Sequence, residues 1–397
     1  MCEQVGVSWV FLDEASSRTH APALSDAGAQ VASFADLSAW ADRAAPIGHP
    51  PARCGTELAA ILFTSGSTGT PRPVELTHEV MWWGSTNFRE GFDYAPTSSV
   101  VGVCAPTSHI GGFNGTSMDT WTHGGTLVTL GFPGSFDARG VIDAIERYGI
   151  TMMFAVPAIV RAILDEHERG GGDLSSWVRP LIGGDAMTAD LTDAMRTVGL
   201  SPIHVWGMTE TSGAGTVATP DSGAPAGSLG VPFPYVDLRL MATDEREAGV
   251  GELGEIWVRG PGVVSGDEWL HTGDLATKDK DGWLHMVGRA HRMINTGGEL
   301  VAPPTVERTL RSLDEVSDAL VVGLPDERWG QIVAALIVPS PEGRAQASSM
   351  NAEALSEALS DALAPWEKVR RVLIVDALPT TTTGKPDPVA AARLLNA

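Results

Sequence analysis

Phe63-Thr64-Ser65-Gly66-Ser67-Thr68-Gly69-Thr70-Pro71-Arg72-Pro73 follows directly on an apolar run that begins at Leu58. A strand running into a loop of small and hydroxyl-bearing residues is a place where a chain can hold an anion. Backbone N–H groups in such a loop can approach polyphosphate, and the Ser and Thr side chains add donors. Glycine serves where the backbone must turn tightly or come within contact distance of a ligand, as at Gly66 and Gly69. Arg72 would add charge-assisted bonds to outer phosphates. The same composition also suits an ordinary surface loop. It is not a P-loop, because no Gly-Lys-Ser/Thr follows at the required offset.

Outward from this loop the pattern alternates between short apolar runs and helical periodicity. Val5 to Leu12 is a β-rich run, 29–40 reads as a short strand followed by a helix, and Pro and Gly punctuate 46–56. Val100 to Cys104 reads as a strand, 138–148 as a helix with Val141, Ile145 and Tyr148 on one face, and Met152 to Val156 as a strand. A helix over 158–169 and a strand near Pro202 to Val205 continue the series, which points to a largely parallel α/β sheet. After about residue 226 the texture changes. Val236 to Leu240 and Glu255 to Arg259 alternate, and Asp281-Gly282 is a hairpin-type turn, so a small antiparallel β subdomain is expected. Beyond Arg289 the order is helix (304–313), strand (318–323), strand (332–338), helix (352–363) and strand (371–375), with a polar loop over 340–350. That is an α+β module large enough for its own core.

Composition bounds the function. A chain of 397 residues is long for one core, and its 43% hydrophobic and 19% charged residues are those of an ordinary globular protein. The net charge of -22 argues against a nucleic-acid or anionic-membrane surface, since either needs a positive field. Cys2, Cys54 and Cys104 have no metal-ligand spacing and read as free thiols of a reducing compartment. The N-terminus lacks a basic stretch followed by an apolar run, and no apolar window reaches the roughly 18 residues of a membrane span. A cytoplasmic location is expected.

The loop resembles the phosphate loop of the superfamily that contains acyl- and aryl-CoA synthetases, nonribosomal peptide adenylation domains and firefly luciferase (the ANL enzymes). Further motifs of that family follow in order. They are Trp206-Gly207-Met208-Thr209-Glu210, Thr272-Gly273-Asp274, Gly288-Arg289, and Pro379-x-Thr381-x-x-Gly384-Lys385. The resemblance implies a large N-terminal AMP-binding domain over 1–288, with its β subdomain at about 227–288, and a small mobile lid over 289–397. It also implies ATP and Mg²⁺, with coenzyme A as co-substrate. Thr64, Ser65, Gly66, Ser67, Thr68, Gly69 and Arg72 would hold phosphates. Glu210 would bind the metal, a hard cation that takes oxygen ligands, and Thr209 would touch the α-phosphate. Trp206 would lie on adenine where the family usually has Tyr, beside Gly207, with Gly184 and Asp185 lining adenine and the acyl pocket. Asp274 would accept the ribose hydroxyls and Arg289 would reach ribose or phosphate oxygens. Lys385 would bridge substrate carboxylate and α-phosphate as charge builds. His291 stands at the pivot, where the family generally has Asp or Lys. Gly298, with Gly297, would let a narrow thiol through, and Trp329 would pack on the pantetheine arm. His109 would border the acyl pocket, and glycines at 111–115 and 213–215 suggest room there for a bulky acid.

The expected reaction is ATP-dependent formation of an acyl-adenylate, followed by transfer to a thiol, foremost that of coenzyme A. A carrier protein or an amine is the other acceptor considered, and a degenerate nucleotide-binding protein is the non-catalytic alternative. The resemblance disfavours an amino acid substrate, because adenylation domains that activate amino acids carry a Phe-Asp-x-Ser-type segment near His109 whose Asp holds the amine, and this chain has no such Asp. The chain also departs from the family. Only about sixty residues precede the loop, and Arg72 and Pro73 replace the usual Lys and Gly. Arg is a fork where Lys is a point charge, and Pro removes an N–H and fixes φ. An uncovered N-terminal sheet face would favour self-association or a partner.

Overall fold

The computed structural model describes residues 1–45, 48, 52–65, 71–114, 116–131, 136–185, 187–344, 350–381 and 386–396. At the N-terminus helix α1 (Cys2–Val5) is closed by Gly6 in the left-handed region. The run expected to be strand from Val5 therefore begins only at β1 (Trp9–Leu12). Asp13 accepts a bond from the Ser16 N–H and so starts α2 (Glu14–Asp26). β2 (Gln30–Ser33) pairs parallel with β1, and a reciprocal Ser33–Asp36 capping box opens α3 (Phe34–Arg43). None of these three helices buries a residue fully.

β3 (Leu58–Ser65) and β4 (Pro71–Thr77) form an antiparallel pair, with Phe63 opposite Pro73 and Thr64 opposite Arg72. Pro71 and Pro73 hide β4 from a sequence reading, and they are tolerated because this two-stranded sheet is all edge. Thr77 caps α4 (His78–Gly91) through the Val80 N–H.

The main sheet follows. Its strands are β5 (Val100–Val103), β6 (Thr126–Thr129), β7 (Met152–Ala155), β8 (Arg179–Gly183), β9 (Ile203–Trp206), β10 (Thr216–Ala218) and β11 (Val231–Pro232). Their order is β11-β10-β9-β8-β7-β5-β6, with β5 to β9 parallel and β10 and β11 antiparallel. Successive side chains enter different cores: Met152, Leu181 and Ile203 lie in one apolar cluster, Met153, Ile182 and Ala155 in another. Both faces are thus covered, which is why these strands read as continuous apolar runs rather than alternating ones. Helices α5 (Ile110–Phe113), α6 (Thr116–Thr122), α7 (Ala138–Tyr148), α8 (Pro157–Gly170) and α9 (Ala189–Thr197) connect them. The expected helix at 138–148 coincides with α7, capped by Asp137 and ended by Gly149.

β12 (Asp237–Met241), β13 (Leu253–Arg259), β14 (Leu270–Lys278) and β15 (Leu284–Arg289) make an antiparallel meander. Gly282, with φ of 91°, supplies the expected turn between β14 and β15. The last sheet contains β16 (Ile294–Thr296), β17 (Glu299–Val301), β18 (Val316–Asp326), β19 (Gly330–Pro339) and β20 (Arg371–Ile374). It is flanked by α10 (Pro303–Leu310), α11 (Ala352–Ala358) and α12 (Pro388–Asn396). Two clusters again take alternate residues of β18, Val321 in one and Leu320 and Val322 in the other. Two helices are shorter than periodicity suggests. The one expected over 304–313 ends at Leu310, and the one expected over 352–363 ends at Ala358, although Leu359 and Leu363 still reach the core.

Candidate nucleotide and acyl-activation site

Parallel strands share a carboxyl edge, and in open α/β sheets ligands bind just beyond it. The segments leaving that edge carry the expected residues. His109 follows β5, Gly184 and Asp185 follow β8, and Gly207, Thr209 and Glu210 follow β9. His109 is the N-cap of α5, its carbonyl accepting from the Gly112 and Phe113 N–H groups. Gly184 takes φ of 80°, a conformation a side chain would oppose. Asp185 is exposed beyond it.

Thr209, Glu210 and Thr211 form a tight 3-10 turn held from two sides. The Thr211 hydroxyl accepts from the Met208 N–H at 3.0 Å, and the Glu210 carbonyl accepts from the Val264 N–H at 2.9 Å. Ser212, with φ of 53°, receives a bond from Asn114 Nδ2 at 2.6 Å. A Cβ on Gly84 would lie 2.5 Å from the Ser212 hydroxyl, so only glycine lets α4 pack against this turn. Sequence reading passed over Asn114 and Gly84. A glycine within a helix rich in Trp and Met was the available signal.

Thr272-Gly273-Asp274 projects as a bulge. Against β13, Glu255 pairs with Leu275 but Trp257 with His271, leaving extra residues on β14. The Thr272 hydroxyl donates to the Ile256 carbonyl at 2.6 Å and accepts from the Asp274 N–H at 3.1 Å. Gly273 takes φ of 70°, and its N–H donates to Glu255 Oε1 at 2.8 Å. Each residue of the triplet therefore has its own geometric task, and the product is a carboxylate 3% exposed and aimed back at β9. Trp206 Nε1 donates to Asp274 Oδ2 at 2.9 Å, and Arg289 Nε lies 2.5 Å from Oδ1. Three residues read from separate motifs converge here.

Past Arg289, His291 lies in a second 3-10 turn. Burial holds its imidazole below the usual histidine range, reinforced by the Arg289 and Arg292 guanidinium groups and opposed by Asp274. Arg292 approaches Glu307 of α10 at 3.8 Å. Burial raises the Glu307 carboxyl, and the Asp185 charge adds to it, so α10 sits within electrostatic reach of the β8 loop. Gly297 and Gly298 form the β16–β17 turn, with φ of 66° and 96°. A Cβ on Gly297 would meet the Trp329 ring at 2.7 Å, whereas one on Gly298 would meet nothing within 4 Å. Trp329 is itself flanked by Arg328 and Arg370, each 4.9 Å from its ring centroid.

One expectation is corrected. Gly111, Gly112 and Gly215 do not leave open space, while a Cβ on Gly213 would meet only ordinary contacts at 3.6 Å and Gly115 lies outside the described residues. A Cβ on Gly111 would meet Phe154 at 2.5 Å, one on Gly112 the Ala105 carbonyl at 2.4 Å, and one on Gly215 the Trp206 ring at 2.5 Å. They admit close packing instead. Of the loop residues, Thr64 and Arg72 face each other across β3 and β4, the Thr64 hydroxyl donating to the Arg72 carbonyl at 3.4 Å. Ser65 is described in its backbone only, and Gly66, Ser67, Thr68, Gly69 and Lys385 lie outside the described residues. Among the described residues no three His, Cys, Asp or Glu side chains cluster to hold a metal. A single carboxylate at Glu210 suits a metal that takes its other oxygens from phosphates and water.

Residues 1–266 match the family model for the AMP-binding enzyme, and residues 305–385 match that for the AMP-binding enzyme C-terminal domain. Over 343 residues the chain is 34% identical to a feruloyl-CoA synthase from Amycolatopsis sp., covering 83% of this chain and 68% of that protein. It is 30% identical to the indoleacetate–CoA ligase of Aromatoleum aromaticum, over 82% of this chain and 65% of the relative. The fold superposes on the ATP-bound RpMatB-BxBclM chimera B1 with a TM-score of 0.85 and 25% identity, covering 98% of this chain and 79% of the other. The chain belongs to the AMP-binding enzyme family, the adenylating enzymes of acyl-CoA-ligase type.

Proposed function

We propose that this protein joins a carboxylic acid to ATP as an acyl-adenylate with release of pyrophosphate, and then transfers the acyl group to the thiol of coenzyme A. The observation that carries the reading is the buried Asp274 carboxylate, tied to Trp206 at the carboxyl edge of the sheet and to Arg289. In the first half-reaction a substrate carboxylate oxygen bonds to the α-phosphorus and the bond to pyrophosphate breaks. Asp274 holds the ribose and Trp206 lies at adenine, with Gly207, Gly184 and Asp185 around it. Thr209 donates to the α-phosphate, and Glu210 would hold Mg²⁺, whose charge would offset that of the phosphates when bound. The segment from Thr64 to Arg72 holds the outer phosphates, and Arg289 and Lys385 supply positive charge there in a chain whose net charge is -22. In the second half-reaction the thiol attacks the acyl carbonyl and AMP leaves. His109 borders the acyl group, while Gly298 and Trp329 line the thiol's approach. AMP is a far better leaving group than the oxygen of a free acid, and positioning supplies the rest.

The acid is aromatic in this reading, since relatives named for feruloyl and indoleacetate substrates align over most of the chain. Acid-dependent exchange between ATP and pyrophosphate, screened over cinnamic, indolic and aliphatic acids, tests the first step. Addition of coenzyme A, a phosphopantetheinylated carrier protein or an amine, with product identification, tests the second. Failure of every acid to support exchange would leave a nucleotide-binding protein without this activity. Thioester formed on the carrier protein alone would replace coenzyme A as acceptor. We place the protein in the cytoplasm, in keeping with its free Cys2, Cys54 and Cys104. No helix among the described residues is long and apolar enough to cross a membrane.

Trp9, Phe34, Leu37 and Trp40 are all exposed by 39% or more beside the β1–β2 pair, with Trp9 edge-on to Trp40 at 5.4 Å. Such a patch favours self-association or a partner over this face. Light scattering on the purified protein should give at least a dimer, and Trp9→Ser with Trp40→Ser should shift it towards monomer. A monomer in the parent protein would end the self-association reading.

A further inference from the structure

We propose that Asn114 is a positioning residue for the turn that carries Thr209 and Glu210, and that it aims both side chains at the nucleotide by clamping Ser212 against α4. The inference rests on the reading of Thr209 and Glu210 as nucleotide ligands. It gives a task on the nucleotide side to a residue carried by the segment that begins at His109.

Among the described residues no hydrogen bond or ion pair engages the side chain of Thr209 or Glu210, so their aim depends on the backbone of the turn. That backbone ends in Ser212, which is fully buried at φ of 53°. A residue with a side chain keeps such a conformation only where its surroundings over-determine it. Within the turn the Ser212 N–H donates to the Thr209 carbonyl and the Gly213 N–H to the Met208 carbonyl, each at 3.0 Å. From outside, Asn114 Nδ2 donates to the Ser212 hydroxyl oxygen at 2.6 Å and to the Met81 carbonyl of α4 at 3.3 Å. One amide group thus pins the end of the turn to a helix. Because Ser212 is bonded to Thr209, a shift of the pinned residue is passed back to Thr209 and Glu210.

The donor is itself held in place. Asn114 is 1% exposed, and its backbone N–H donates to the Ile110 carbonyl at 3.0 Å, closing α5. Ile110 packs beside the same turn, since a Cβ on Gly213 would lie 3.6 Å from its Cγ1. A carbonyl can only accept, so the atom facing Met81 is the amide nitrogen, which fixes the orientation of the group. Asn114 Oδ1 is buried and has no partner among the described residues. An apolar side chain would avoid that cost, so the asparagine is explained by the donor it provides. Gly84 completes the clamp. A Cβ there would stand 2.5 Å from the Ser212 hydroxyl and 3.3 Å from Asn114 Nδ2.

Equilibrium binding of ATP in the presence of Mg²⁺, measured well below the melting temperature, provides the test, because it requires no turnover. Asn114→Ala should weaken binding about fivefold, the scale of one neutral hydrogen bond. Ser212→Ala deletes a single oxygen and serves where the larger deletion unfolds the chain. It should have the same effect, and the double variant should bind no more weakly than Asn114→Ala. On a background of Thr209→Ala with Glu210→Gln, itself weaker than the parent, Asn114→Ala should change the affinity no further. Tyr94→Phe, which removes a buried hydrogen bond to Asp119, should lower the melting temperature and leave ATP binding as in the parent. Parent-like binding in Ser212→Ala would overturn the proposal. So would multiplied effects in the double variant, an equal loss in Tyr94→Phe, or the same loss once Thr209 and Glu210 are replaced. Parent-like binding with both of those replaced would overturn the underlying reading and the proposal with it. Absence of acid-dependent pyrophosphate exchange would instead count against the proposed reaction and leave this result standing.

Discussion

Lys385→Ala should lower acid-dependent pyrophosphate release by about 100- to 1,000-fold, the scale on which a preorganised group facing developing charge contributes. The reasoning is electrostatic. The chain carries 27 basic against 49 acidic residues, so the transition state must draw on a few placed cations. Lys385 sits in the Pro379-x-Thr381-x-x-Gly384-Lys385 motif of a separate C-terminal module. If 289–397 acts as a lid that changes face between half-reactions, the loss should be confined to adenylation. The Lys385→Ala protein, supplied with preformed acyl-adenylate and coenzyme A, should still make thioester within about threefold of the parent rate. Equal loss in both half-reactions would argue that the lid does not exchange faces. Full retention of adenylation would remove Lys385 from the chemistry.

The second large effect is on stability and lies away from the nucleotide. Asp119 of α6 is 3% exposed and gathers three partners. Tyr94 Oη donates to its Oδ2 at 2.6 Å, and Arg89 Nη1 and His123 Nδ1 each stand 3.3 Å from Oδ1. Burial drives the Tyr94 hydroxyl well above the usual tyrosine range, with the Asp119 charge and hydrogen bond adding to it, so it remains a donor at all ordinary pH. Asp119→Ala would strand that hydroxyl and leave the Arg89 charge, itself 21% exposed, without its counterion. The expected cost is about 3 kcal/mol, the low end for breaking a buried pair because Arg89 keeps some contact with water. The chemical denaturation midpoint, followed by far-UV circular dichroism, should fall accordingly. Asp119→Asn, which still offers Tyr94 an acceptor, should fall less. The comparison is Asp281→Ala, whose partner Lys280 is 83% exposed and whose loss should be nearly neutral. A shift for Asp119→Ala no larger than that of Asp281→Ala would show the network to be without energetic weight.

Local chemistry alone determined much of this molecule. Apolar periodicity and alternation located α7, β7, α8 and the β12–β13 strands within a residue or two, because those segments obey their own propensities. The linear motifs pointed to the residues proposed for the nucleotide for a similar reason: Gly273 takes a positive φ, the Thr272 hydroxyl ties down the bulge, and Asp274 supplies the buried carboxylate. β4 was hidden by Pro71 and Pro73, whose lost donors cost little on an edge. α4 was hidden by Gly84, whose place is set by Ser212 on a distant turn.

Tertiary structure decided the rest. Of the glycines that suggested a roomy acyl pocket, Gly111, Gly112 and Gly215 are closed off by Phe154, the Ala105 carbonyl and Trp206, because free volume is a property of neighbours rather than of the residue. The approach of Trp206 to Asp274 joins positions 68 residues apart. It depends on the β14 bulge turning a carboxylate inward, which no pattern of residue types along the chain encodes.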